Sequence, residues 1–160
     1  MLLLLVSLDN PQLAAKVLVN FQAHLSRLGT WAIVSIVLGL GLSVYTLWIK
    51  RSSKFWQHFA LQFIAWGLID LIIVLLARAS VNSYSFAQFT AAREFLIFNE
   101  GLNLAYIAVG LTLVITARRM AAAPVSGAGW AVIFQGLALL VLDTILLLRM
   151  PSPSDWVSLP

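Results

Sequence analysis

Apolar residues dominate four stretches of the chain: residues 31–49, 55–77, 95–117 and 130–148. Each is long enough for a helix that crosses the hydrocarbon core of a bilayer, which takes about 20 residues. Polar segments separate them. The first is the short basic run Lys50, Arg51, Ser52, Ser53 and Lys54; the second covers residues 78–94; the third covers residues 118–129 and contains Pro124 and Gly127. Backbone amides in lipid must be paired within their own element, so these stretches are predicted as helices rather than as an open sheet. Short connections favour antiparallel neighbours. The expected fold is all-α, a four-transmembrane-helix up-down bundle forming a single membrane domain over residues 1–160.

A different pattern precedes the first span. Asn10 and Pro11 have the chemistry of a helix cap followed by a first helical residue. Beyond them Gln12, Lys16, Asn20, His24 and Arg27 form one polar stripe, and Leu13, Val17, Phe21, Leu25 and Leu28 an apolar one. This predicts an N-terminal amphipathic interfacial helix over residues 11–28, lying on the membrane surface. A helix that docks on a partner would carry the same pattern. Residues 1–8 are apolar, but they lack the basic start of a signal peptide and are short for one.

Composition agrees with a lipid environment. Of the 160 residues 61% are hydrophobic and 10% charged, too few charges to coat a surface facing water. The absence of cysteine excludes disulfides and thiolate metal sites. The net charge of +4 comes from residues at the span ends, which fits lipid headgroups and argues against nucleic acid. Trp31, Trp48, Trp56, Trp130 and Trp156 also fall near predicted ends, where indole favours the headgroup layer; only Trp66 is placed mid-span. Basic residues divide evenly between the two sides, but cluster tightly in the loops after the first and third spans. The expectation is a multi-pass protein of the cell (inner) membrane with both termini non-cytoplasmic.

Polar residues inside the spans carry the candidate chemistry. Gln62 and Asp70 are spaced like Gln135 and Asp143, and the end of the first span resembles the end of the third. Together these suggest two related helical hairpins. Asp70, Glu100 and Asp143 are half of the six acids in the chain. A carboxylate at membrane depth costs roughly 3 kcal/mol on insertion scales and is a functional candidate for that reason. At about 1.5 Å per residue the three fall at similar depth. Asn99, Glu100 and Asn103 share an arc of the third span that Tyr106 and Gly110 extend, and Ser35, Gly39, Ser43 and Thr46 give the first span a face suited to close packing.

Two readings of these acids stand. They bind a ligand or cation, or relay protons; or they pair with Arg78, Arg93 or Arg149 and with the glutamines and fix helix register, the alternative there being that one or more of them is simply protonated. His24 and His58 are expected on opposite sides of the bilayer, which disfavours a shared haem, and neither metal spacing nor a catalytic constellation is present.

The run from Leu96 to Ile107, with Asn99, Glu100, Asn103 and Tyr106, resembles a motif of small bacterial four-helix integral membrane proteins of unknown function. So does the run from Gly127 to Asp143, with Gln135 and Gly136. The resemblance implies the same fold and marks Asn99, Tyr106, Gln135 and Asp143 without assigning a reaction. The chain departs from that pattern with Asn103 in place of an aspartate, and with Gln62 and Asp70 in the second span.

The expected function is therefore a non-enzymatic membrane bundle or complex subunit whose buried polar layer binds a small ligand or fixes packing. A small cation- or proton-coupled transporter is the alternative. Candidate ligand or ion contacts are Asp70, Asn99, Glu100, Asn103, Tyr106, Gln135 and Asp143, with no catalytic or metal residue and no cofactor specified. The expected partners are the lipid bilayer and a second copy or another membrane subunit, with no nucleic acid.

Overall fold

The computed structural model of the protein describes residues 10–48, 53–80 and 85–156. Four helices account for most of them: α1 (Pro11–Trp48), α2 (Lys54–Ser80), α3 (Phe86–Arg119) and α4 (Ala123–Arg149), followed by a single 3-10 turn (Pro153–Trp156). All four are long and apolar enough to cross a membrane. Their outward faces are apolar, with Trp48, Leu76 and Leu148 among the most exposed side chains. Such a surface is consistent with a multi-pass membrane protein. The apolar N-terminal run and most of the basic loop after α1 lie outside the described residues.

Helix boundaries follow local chemistry. Asn10 caps α1 as expected, its Oδ1 accepting from the amides of Gln12 at 3.1 Å and Leu13 at 3.2 Å. Ser85 caps α3 with a full capping box: its hydroxyl accepts from the Gln88 amide, and the Gln88 side chain accepts from the Ser85 amide. That box starts α3 nine residues before the predicted span, so much of the predicted loop 78–94 is helix. The connector 118–129 is also mostly helical. Pro124 sits in the first turn of α4, where its missing amide proton has no carbonyl to serve, and only Met120–Ala122 link α3 to α4, with Ala121 at a φ of 50°.

Residues 11–28 are helical as the stripe pattern predicts, but they form no separate surface helix. They run unbroken into the first span, making α1 38 residues long, or about 57 Å. Their apolar face is covered by protein: Val17, Phe89 and Trp156 form one buried cluster, and Leu25, Leu28 and Val74 another. Trp156, expected near the headgroups, is 4% exposed, because the 3-10 turn folds its ring against Phe86 and Phe89. An Asn20 side-chain bond to the Arg149 carbonyl at 2.8 Å ties the start of α1 to the end of α4. Both described ends therefore lie at the same end of the bundle.

The helices pair as two hairpins, α1 with α2 and α3 with α4, joined chiefly through α2 and α4, while α2 and α3 scarcely touch. The hairpins repeat each other closely. A Cβ on Gly39 would lie 2.6 Å from Ile64 Cγ1 and 2.8 Å from the Ala60 carbonyl oxygen; on Gly110 it would lie 2.6 Å from Ile133 Cγ1 and 2.8 Å from the Gly129 carbonyl oxygen. Gly67 meets Ala32 and Ile36 much as Gly136 meets Asn103 and Ile107. Position 39 thus corresponds to 110 and position 64 to 133, offsets of 71 residues between α1 and α3 and 69 between α2 and α4. Spacing alone aligns Asp70 with Asp143, an offset of 73. The true register is four residues away, about one helical turn, and such a shift preserves the face of a helix.

These glycines hold each hairpin at close approach, which gives a stability prediction. Gly39→Ala and Gly110→Ala push a methyl group into facing backbone and should each cost about 1–3 kcal/mol. Gly41→Ala and Gly101→Ala, where nothing lies within 4 Å, should gain up to about 1 kcal/mol from helix propensity. Thermal unfolding in detergent separates the pairs; equal effects at all four positions would contradict the packing assigned here.

Candidate functional site

A buried polar cluster at the α1, α3 and α4 contact centres on Asp143, which is 4% exposed. Its Oδ2 accepts from Asn99 Nδ2 at 2.7 Å and from Asn103 Nδ2 at 2.8 Å. Its Oδ1 lies 3.4 Å from His24 Nε2. Asn99 and Asn103 are one helical turn apart, so both amides reach the same oxygen from one face of α3. Nearer the other end of the bundle, Gln135 joins α4 to α1: its Oε1 accepts from Trp31 Nε1 at 2.7 Å and its Nε2 donates to Ser35 Oγ at 3.1 Å. Trp31 was expected at a span end. The continuity of α1 instead places it beside Gln135, where its N–H is used internally.

Asp70 differs from Asp143. It is 3% exposed, yet its Oδ2 is buried without a hydrogen-bond partner. The expected arginine pairs do not form: Arg78 donates to Ser26 Oγ at 3.2 Å, and among the described residues the one carboxylate–base pair within 4 Å is His24 with Asp143. The predicted outer layer also divides. Glu100 accepts from Thr144 Oγ1 at 2.8 Å and lies away from Asp70 and Asp143. Gln62 is half-buried and does not join Gln135.

Asp70 and Asp143 face one cavity of about 390 Å³, lined also by His24, Trp66, Asn99, Asn103 and Tyr106, with apolar side chains over most of its wall. All four helices contribute. Its α2 wall carries Trp66, Asp70, Ile73 and Ala77, and its α3 wall carries Asn99, Asn103 and Tyr106; within each set the spacings alternate between four and three, the signature of one helix face. Gln135 and Glu100, both candidates from sequence, are not on the wall. His24 is, and sequence reasoning missed it by assigning its segment to the membrane surface. The available signal was its distance of eleven residues from Ser35, three helical turns along the small-residue face of α1.

The repeat explains why the cavity forms where it does. Under the offsets above, Ser35 corresponds to Tyr106 and Gln135 to Trp66. The slim Ser35–Gln135 hydrogen bond between α1 and α4 is therefore replaced, between α3 and α2, by the Trp66–Tyr106 ring contact with centroids 5.0 Å apart. Two rings occupy more width than a hydroxyl and an amide, so α2 and α3 stand apart. Ile69, Ile73 and Phe95 line the gap and remain 46%, 49% and 67% exposed. The cavity thus opens sideways, on the apolar face of the bundle.

The two carboxylates should respond oppositely to mutation. Asp143→Ala strands two amides and an imidazole in a dry interior and should cost about 2–4 kcal/mol. Asp70→Asn replaces a carboxyl group whose buried oxygen has no partner and should leave stability unchanged or higher. Unfolding midpoints in detergent check both; a large loss at Asp70 would reveal a structural partner for it.

Residues 27–144 match a family of unknown function, DUF6992, a segment that takes in Asp70, Asn99, Asn103, Tyr106 and Asp143 and begins after His24. No curated protein and no solved structure matches the chain.

Proposed function

The chain belongs to this family of unknown function, and we propose that it is a membrane-embedded receptor that takes one small amphiphile from the bilayer into the cavity between α2 and α3. The observation that carries this reading is the position of the cavity: it opens onto the apolar flank, with its polar groups collected at Asp70, Asn99, Asn103 and Asp143. A ligand partitioned into lipid reaches such a site by lateral movement without crossing water. Its volume falls within the range of small-molecule pockets, roughly 300–1,000 Å³, and a mostly apolar wall with a few convergent polar groups is their usual composition.

The roles follow from geometry. Ile69, Ile73 and Phe95 form the lateral mouth, Trp66 and Tyr106 close one end, and Asp70 presents an unused acceptor. Asp143, Asn99 and Asn103 satisfy one another and hold the wall in shape. Gln135 and Glu100 serve the helix contacts. The seven sequence candidates therefore divide into a ligand-facing set and a structural pair.

Native mass spectrometry of the detergent-solubilised protein, titrated with the twelve-carbon alcohol dodecanol, tests this. The expected result is a saturable one-to-one adduct, lost in Ile73→Trp, whose indole crosses the mouth. It should persist in Ile72→Trp, which adds the same ring outside the cavity. Equal binding by both variants would place the amphiphile on the general lipid-facing surface and remove the basis for a receptor.

A further inference from the structure

The cavity wall has an uneven supply of hydrogen-bonding groups. Asp143 already receives two amides on Oδ2, and its Oδ1 faces His24. The Asn99 and Asn103 amide nitrogens are directed to that carboxylate. Asp70 alone on this wall offers a carboxylate oxygen that receives nothing, and it is 97% removed from solvent by the protein, being 3% exposed. Among the described residues no lysine or arginine lines the cavity, and the single basic side chain on its wall, His24, is engaged by Asp143.

A carboxyl group so placed holds its charge only at a penalty within an apolar bundle, a penalty that a proton or a cation removes. Trp66 and Tyr106 line the same cavity as Asp70, and aromatic rings attract cations through their quadrupoles, most strongly when water is excluded. The unpartnered acceptor and the aromatic rings both favour positive charge here.

Resting on the receptor reading, we propose that the ligand is a lipophilic monocation, an alkylammonium-type amphiphile whose charged head pairs with Asp70 while its apolar part fills the cavity toward the α2–α3 mouth. A single charge is specified because the wall has a single unengaged carboxylate. A primary or substituted ammonium supplies the donor and the charge together; a neutral alcohol supplies only a donor, and a carboxylate or phosphate head would face repulsion from both Asp70 and Asp143.

The test compares three probes of one chain length, dodecylammonium, dodecanol and dodecanoate, by native mass spectrometry of the full chain in detergent. The wild-type protein is expected to bind dodecylammonium at least tenfold more tightly than dodecanol and to take up no dodecanoate. Asp70→Asn should reduce dodecylammonium binding to the level of dodecanol without changing dodecanol binding. Asp70→Glu should retain the preference, and the unfolding midpoint of each variant verifies that it is folded. If dodecanol binds as well as dodecylammonium, the cationic assignment fails while the receptor reading stands. A preference unchanged in Asp70→Asn also overturns it, since the charge would then be recognised elsewhere. If none of the three probes gives a saturable adduct, both readings fail.

Discussion

A carboxylate enclosed in an apolar bundle has no water to stabilise its charge, so the protein must supply the dipoles. Asp143 receives them from two other helices, through Asn99 and Asn103 on α3 and His24 on α1. The contact of α4 with α3 and α1 near this end depends on that arrangement. Apolar packing alone is weakly directional between helices in lipid, because the surrounding chains are as apolar as the side chains. A polar hub has direction, and it penalises any register that parts Asp143 from its amide donors.

Close approach within each hairpin comes from a different source. Gly39, Gly67, Gly110 and Gly136 remove the side chain where a neighbouring backbone arrives. The equivalence of their surroundings shows that both hairpins use the same packing solution. On that common frame the polar content diverges. Where the second hairpin has Asn99 and Asp143 in hydrogen bond, the first has Leu28 and Val74, which pack in an apolar cluster. The frame tolerates both pairs because the glycines, rather than these side chains, set the helix separation.

The four spans and the Asn10–Pro11 start were legible in the sequence, because hydropathy and capping are local properties. Boundaries inside polar segments were less so: the Ser85–Gln88 capping box lay in a stretch read as loop, and α1 continued through a change from amphipathic to apolar pattern. Asp143, Asn99 and Asn103 could be named from burial cost and helix angle. Their bonding to one another could not, nor could the separation of Glu100 from them, since both depend on how α3 is rotated against α4. The repeat was visible, but its register between α2 and α4 was misread by one turn because a four-residue shift leaves the same residues on the same face. His24 was hidden by a reasonable inference, that a polar stripe before a span meets headgroups; Gln12 and Lys16 are exposed, but protein covers His24.

The register has a consequence for the origin of the cavity. In a bundle of two equivalent hairpins, the α1–α4 and α3–α2 contacts would be alike, and both would close. Substituting Trp66 and Tyr106 at the positions equivalent to Gln135 and Ser35 widens only one of them. Asp70 stands on that widened side, at the position equivalent to Leu139, which lies on the same cavity wall. The unpaired carboxylate therefore occurs where the repeat is broken, and breaking the repeat is what gives it space to face. A packing defect would tend to be lined by apolar side chains alone, as dry voids are. Here the void and the charge arise from the same departure from symmetry, which is why the cavity reads as a site rather than as incomplete packing.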